Sequence, residues 1–311
     1  MIGIDVGGAN LKIVDDHGVH IHYCPLWEHA PITAQLDKYV SLPDDGAVVV
    51  MSGELADCFS HKMEGISFIV DAVKKAFPQA RFYGTDDQFH TSAVPQLAAA
   101  NWLASAAYLK EEYPDAILLD IGSTTADIIP LGLFEDLKWL TDLRRLQNGY
   151  LVYSGMLRGN IATLLQSVTL DGVATPVSSE YFAVSADAHL VLGHISLEDY
   201  IGDTPDRKEK TMDASLRRLA RVVCADLDEI GESGALQIAG QFWEKQRELI
   251  CGQVQRIAKE SWAKEIIVAG IGASLFSREL DGTDLNEKLG PVAGTLPAFA
   301  VREIAVRGGY F

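Results

Sequence analysis

The stretch AILLDIGSTTADIIP, residues 116–130, decides how this chain is read. It sets an apolar run, Asp120, Gly122, the hydroxyls of Ser123, Thr124 and Thr125, and then Asp127 in close succession. Ile117 to Leu119 have the unbroken apolar character of a strand buried on both faces, and Ile128-Ile129 restores it after the turn. The pattern predicts strand, tight turn, strand. At the turn Gly122 lets backbone approach a ligand, successive amides and hydroxyls suit phosphate oxygens, and Asp120 and Asp127 suit a hard cation.

The same pattern opens the chain as MIGIDVGGANLKIV, residues 1–14: an apolar strand ends in Asp5, turns on Gly7 and Gly8 and returns through Asn10 and Lys12. Asn10 is placed to donate to a phosphate or substrate. Lys12 alternates with Leu11 and Ile13, so it reads either as a functional cation or as the solvated side of a strand. A third glycine turn follows an apolar strand in EIIVAGIGASLF, residues 265–276, at Gly270 and Gly272. Three such turns imply two related halves facing a shared cleft.

GIDVGGANLK, LDIGSTTADIIP and VAGIGASLF together resemble the phosphate-1, phosphate-2 and adenosine motifs of the actin, sugar kinase and Hsp70 superfamily. Within it, CPLW at 24–27, SGEL at 52–55, ANWLA at 100–104, YSGMLR at 153–158 and EYFAVSAD at 180–187 resemble a hydantoinase/oxoprolinase-like family linked to tetrahydromethanopterin and methanofuran C1 metabolism. That resemblance covers about the whole chain. It implies an α/β, ribonuclease H-like, two-lobed fold with the active site between the lobes. It further implies an enzyme that joins (aminomethyl)furanmethanol diphosphate to the phenol of γ-glutamyltyramine, releasing pyrophosphate. An ATP-dependent small-molecule kinase or amidohydrolase of the same fold is the alternative, and a nucleotide sensor without turnover a third.

Composition agrees with a globular chain. Its 311 residues, 48% hydrophobic, can bury one large or two moderate cores. With 26 basic against 43 acidic residues the net charge is −17, which opposes attraction to nucleic acid or anionic membrane. An anionic substrate would therefore need a metal ion, turn amides or a few cations. Cys24, Cys58, Cys224 and Cys251 form no Cys-x-x-Cys pair and are expected to be buried free thiols. A strand beginning at Ile2 and the lack of an apolar run of about 18 residues point to a cytoplasmic protein. Assembly as a homo-oligomer is left open.

Taken in order, strands are expected at 2–6, 10–15, 19–23 and 47–51, a helix at 65–77, a strand at 81–84 and a helix from Gln96 to Tyr113 ending before Pro114. The halves should divide there, into 1–114 and 115–311. The second half should carry a helical insertion around 135–260 and the late glycine turn at 269–274. Glu54 follows the strand 47–51, where it suits proton abstraction, or else caps a short helix containing Leu55 and Phe59. Arg158 is expected on a helix after a glycine-bearing turn, either as a surface cation or within reach of a diphosphate. His17, His20, His22 and His29 read as surface residues. Pro25-Leu26-Trp27 is either core or an aromatic pocket wall, and Asn101 reads as a helix contact. Residues 202–210 form either a solvated loop or a lid carrying Asp203, Asp206, Lys208 or Lys210. Helices are expected at 213–230 and 235–260.

What the resemblance implies for the site follows residue by residue. Mg²⁺ would be held by Asp5, Asp120 and Asp127. The diphosphate would lie on Gly7, Gly8, Asn10, Lys12, Gly122, Ser123, Thr124, Thr125, Arg158, Gly270 and Gly272. Glu54 would take the phenol proton. Ala9-Asn10 where a hydroxyl is usual, and bulky Ile271 between Gly270 and Gly272, favour a diphosphate other than a nucleotide.

Overall fold

The computed structural model describes residues 1–28, 30–40 and 46–310; the expectation for His29 lies outside them. The first sheet is built from β1 (Ile2–Val6), β2 (Asn10–Asp15), β3 (Gly18–Tyr23), β4 (Ala47–Met51), β5 (Arg81–Tyr83) and β6 (Phe89–His90), in the order β3-β2-β1-β4-β5-β6. β1 pairs antiparallel with β2 and parallel with β4. The second sheet contains β7 (Ala116–Ile121), β8 (Ala126–Pro130) and β9 (Leu151–Val152). After a separate hairpin of β10 (Ser167–Leu170) and β11 (Val173–Pro176), it is completed by β12 (Glu265–Gly270) and β13 (Thr283–Asp284). Its order is β13-β12-β7-β8-β9, with β7 antiparallel to β8 and parallel to β12.

Numbered within each half and leaving out the separate hairpin, both sheets run 3-2-1-4-5 with the same strand directions, the first adding β6 antiparallel at its edge. This is the repeated ribonuclease H-like unit of the two-lobed actin, sugar kinase and Hsp70 fold. Every residue of β1 and β4 is buried, as a strand covered on both faces requires. The helix Lys62–Ala76 turns Ile66, Ile69, Val70 and Val73 onto the first sheet at helical spacing. A second core joins the lobes. Val48 and Val50 of β4 share it with Leu118 of β7 and Ile129 of β8, through Trp102 and Leu103 of the helix Asn101–Leu109 and Leu296, Ala300 and Val301 of the helix Leu296–Arg307. Residues 285–307 are long and apolar enough to cross a membrane by composition. Their buried residues nevertheless pack against β1, β2 and β4, so the last helix lies on the first sheet although it follows the second.

Several local expectations change. The helix expected from Gln96 starts at Asn101, because Ala99 adopts a left-handed φ of 46° between it and the 3-10 turn Pro95–Leu97. Leu55 to Phe59 form turns, so Glu54 caps no helix there. The helix expected at 213–230 ends at Arg221, Cys224 turning at φ 59°, and a long helix spans Leu227–Ser261 with a kink at Gly231. Cys24 and Cys251 are buried, whereas Cys58 is partly buried and Cys224 exposed. His20 contacts Asp15 at 3.4 Å and His22 contacts the Tyr39 hydroxyl at 2.5 Å, while His17 is exposed.

Candidate active site

Two matching hairpins face each other between the lobes. In the first, Asp5 lies opposite Lys12 across β1 and β2, and the Gly7 N–H closes the turn onto the Asn10 carbonyl at 3.0 Å. In the second, Asp120 lies opposite Asp127 across β7 and β8, and the Gly122 N–H closes onto the Thr125 carbonyl at 2.9 Å. Lys12 and Asp127 occupy equivalent positions with opposite charge. Register makes Lys12 a site residue: its ammonium sits 3.7 Å from Asp5.

The turns point their amides inward by holding their carbonyls outward. The carbonyls of Gly8 and Ala9 accept from Leu26 and Cys24; those of Gly122 and Ser123 accept from Met156, Leu157 and Arg158. A trans peptide directs N–H opposite to C=O. The N–H groups of Ala9, Ser123 and Thr124 are therefore turned away from those segments, and Ala9, Asn10 and Ser123 line a cavity of about 300 Å³. Arg158 lies on no helix, and the amides of residues 156–158 bond the glycine turn. The Arg158 guanidinium instead stacks 4.9 Å over the Trp27 ring, joining the lobes; of Pro25-Leu26-Trp27 only Trp27 lines the cavity, Leu26 being buried in the core of the first lobe.

Gly155 is needed beneath this turn, since a Cβ there would come within 2.6 Å of the Ser123 and Thr124 backbone. From the long helix Leu227–Ser261, fully buried Gln246 holds that segment, donating to Ser154 Oγ and the Gly155 carbonyl, both at 3.0 Å. The Gln246 amide oxygen lies 2.7 Å from His189 Nε2, which fixes which way the amide points.

Acid charge is concentrated here beyond what the chain's own cations balance. Burial, and then the proximity of Asp127, push Asp120 up to about 7. Burial likewise raises Asp5, with Lys12 opposing it, and Asp5 Oδ1 has no hydrogen-bond partner. Asp127 departs from the expected metal set, because it is ion-paired with buried Arg145, which also pairs with Asp142 at 2.8 Å and stacks 4.3 Å over Trp102. Among the described residues no three carboxylate, histidine or cysteine side chains gather at metal-ligand spacing. Asp5 and Asp120 are the groups left to hold a cation.

Glu54 is 2% exposed with Oε2 unpartnered. Burial raises its pKa; Lys62 lowers it and Asp142 of the second lobe raises it again. Desolvation raises the Tyr153 phenol too, with the charges of Asp142, Asp127 and Glu54 adding to it. Gly270 and Gly272 are closely packed. A Cβ at Gly270 would meet the Ile121 carbonyl at 2.3 Å and Asp120 Oδ1 at 2.7 Å, so Gly270 lies directly beside Asp120; one at Gly272 would meet the Ile121 side chain at 2.8 Å, and the Gly272 N–H already donates to Ile121. They seat β12 against β7, and their surroundings are filled by protein.

The hydantoinase/oxoprolinase family profile matches residues 45–302. The chain belongs to that family. A relative from Methanocaldococcus jannaschii is 37% identical over 98% of this chain and 97% of its own length. It is named (4-{4-[2-(gamma-L-glutamylamino)ethyl]phenoxymethyl}furan-2-yl)methanamine synthase. A protein of the same name from Methanococcus vannielii is 34% identical over 60% of this chain and 89% of its own. Among solved structures, a ROK family glucokinase from Streptomyces griseus aligns over 99% of both chains at 14% identity and a TM-score of 0.44. For this hydantoinase/oxoprolinase family member the strand order itself carries the fold assignment.

Sequence reasoning missed Arg145, Asp142 and Gln246. Arg145 follows Asp127 by 18 positions, and the doublet Arg144-Arg145 gives no local sign of which guanidinium turns inward. Gln246 is one of many polar residues on a long helix, marked only by falling among the buried positions Phe242 and Ile250.

Proposed function

We propose that this protein is a methanofuran-biosynthesis transferase that joins the furylmethyl group of (aminomethyl)furanmethanol diphosphate to the phenol of γ-glutamyltyramine, releasing pyrophosphate. The observation that carries this reading is the 37% identity over nearly the full length of both chains with the synthase whose name describes that aryl ether. The facing aspartate and glycine hairpins support a diphosphate as leaving group. Bulky Ile271 between Gly270 and Gly272 supports a donor without an adenosine moiety.

The residues fit a hard divalent cation such as Mg²⁺. Asp5 offers an orphaned buried oxygen and Asp120 a carboxylate short of positive charge. Magnesium characteristically takes one or two carboxylates together with waters and substrate phosphates. When bound, it would neutralise diphosphate charge and improve the leaving group.

The chain's own groups account for the remaining steps. The amides of Ala9, Ser123 and Thr124, the hydroxyls of Ser123, Thr124 and Thr125, and the cations Lys12 and Arg158 receive the diphosphate oxygens as negative charge grows on them. The bond between the furylmethyl carbon and the diphosphate oxygen breaks, its electrons leaving with pyrophosphate. The phenol oxygen forms the new bond to that carbon, and its proton passes to Glu54. A free phenol has a pKa near 10. Raising Glu54 narrows that gap and makes it a better matched base. The reaction belongs in the cytoplasm, whose reducing conditions suit four unpaired cysteines.

The test supplies Mg²⁺ with either the furan diphosphate and γ-glutamyltyramine, or ATP and candidate acceptors, and identifies the phosphorus product by ³¹P NMR. Pyrophosphate with a new aryl ether is the expected result. ADP or orthophosphate formed with ATP, and no ether, would overturn the assignment.

A further inference from the structure

The interlobe cavity does not end at the glycine turns. From Ala9, Asn10 and Ser123 it extends between Trp27 of the first lobe and Tyr181 of the second to Asp203. Asp203 also lines a second cavity of about 340 Å³, whose other walls are Glu28, Thr204, Arg207, Lys208 and Lys210. The two form one trough, aromatic near the turns and charged at its outer end.

The charged end is a built feature. Asp206 accepts from Arg218 at 3.2 Å and from Arg221 at 3.2 Å, and Arg218 is itself fully buried against Asp187 at 2.8 Å. The Thr204 hydroxyl bonds the Lys208 carbonyl at 2.8 Å, and Arg207 takes a left-handed φ of 55° above this anchor. The segment is thus tied to the core through Asp206, which is why Asp206 does not serve as a substrate-facing lid residue. Arg207, Lys208 and Lys210 converge on the cavity, yet among the described residues none lies within 4 Å of a carboxylate oxygen, in a chain carrying 43 acidic residues. Arg207 and Lys208, without an ion pair among the described residues, and Lys210, whose ammonium lies 5.7 Å over the Tyr200 ring, share this cavity with Asp203 and Glu28 and make a surface complementary to a group bearing both a carboxylate and an ammonium.

Resting on the transferase reading above, we propose that this trough is the acceptor subsite. The tyramine ring lies between Trp27 and Tyr181 with its phenol toward the Ser123 turn. The α-amino-acid head of the γ-glutamyl group reaches the charged end, its carboxylate on Arg207 and Lys208 and its ammonium on Asp203 and Glu28. The ligand class is a phenol capped by a free α-amino acid. The spacing of aromatic and charged walls supplies the selectivity, because an acceptor without the head group leaves the cations unused.

The experiment compares γ-glutamyltyramine with γ-aminobutyryl-tyramine, which lacks only the α-carboxylate, in the wild type and in Arg207→Met/Lys208→Met. Both side chains are solvent-facing, and circular dichroism with a thermal melt checks the fold of the variant. In the wild type, loss of the carboxylate should lower kcat/KM about tenfold, the scale of a charge-assisted contact moderated by solvent. In the double variant that preference should shrink to about twofold, with KM for the furan diphosphate unmoved. Calorimetric titration with γ-glutamyltyramine alone should show the same weakening. Undiminished preference in the variant, or a rise in KM for the diphosphate donor instead, would overturn the subsite. A wild type that binds γ-glutamyltyramine through these two residues but forms no ether would sink the transferase reading and leave the subsite standing. Wild-type binding indifferent to the carboxylate would remove the subsite whatever the reaction.

Discussion

Replacing Asp120 by asparagine should make the protein more stable at pH 8 while abolishing pyrophosphate release. The reason is the charge crowding at the second hairpin. Burial and Asp127 lift Asp120 from an ordinary 3.8 to about 7, so the folded state binds a proton that the unfolded state has already lost between those values. A carboxyl whose folded pKa is raised contributes fully to stability below its unfolded pKa, and the contribution is lost as pH rises through the folded pKa. At about 1.4 kcal/mol per pH unit, the window from 3.8 to about 7 corresponds to about 4 kcal/mol of destabilisation, an upper bound because Asp5 and Asp127 titrate with it. Asparagine removes that cost. Urea denaturation without divalent cations should therefore show the variant's advantage growing by about 2.7 kcal/mol from pH 5 to pH 8, with the rise concentrated below pH 7. Adding Mg²⁺ should stabilise the wild type at pH 8 and leave the variant unmoved. An advantage that stays constant with pH would refute the account of Asp120 as an unneutralised carboxylate. Normal turnover by the variant would remove Asp120 from the mechanism.

Two further outcomes follow from the same geometry. Glu54→Gln should lower kcat about 10²-fold to 10⁴-fold with little change in KM for either substrate, and should erase the acid limb of the kcat against pH profile that the raised Glu54 carboxyl produces; retention of that limb would assign the base to another group. Arg145→Met should destabilise the fold by about 3–5 kcal/mol in denaturant titrations, because Asp127 is left without its buried partner. Adding Asp127→Asn to that variant should restore most of the loss, whereas a loss equal in single and double variants would show that Arg145 acts through its stacking on Trp102.

The sequence alone determined the two hairpins and what they present. Asp5 and Gly7, and Asp120 and Gly122, are spaced by strand and turn geometry acting within a dozen residues, so antiparallel register fixes Asp120 opposite Asp127 as firmly as any core contact could. The repetition of that pattern made the two-lobed fold legible, and a family resemblance spread along the chain pointed to the chemistry. Helix limits were less legible where a single backbone angle intervened, as at Ala99 and Cys224, since left-handed φ in a residue other than glycine leaves no compositional trace. Only the tertiary structure decided which charges meet. Arg145 reaches Asp127, Trp27 receives Arg158, and Asp203 joins two cavities, because packing around a shared core brings together segments far apart in the chain. Such contacts depend on how two sheets and an inserted helical layer close on one another, and no periodicity within either partner encodes the distance between them.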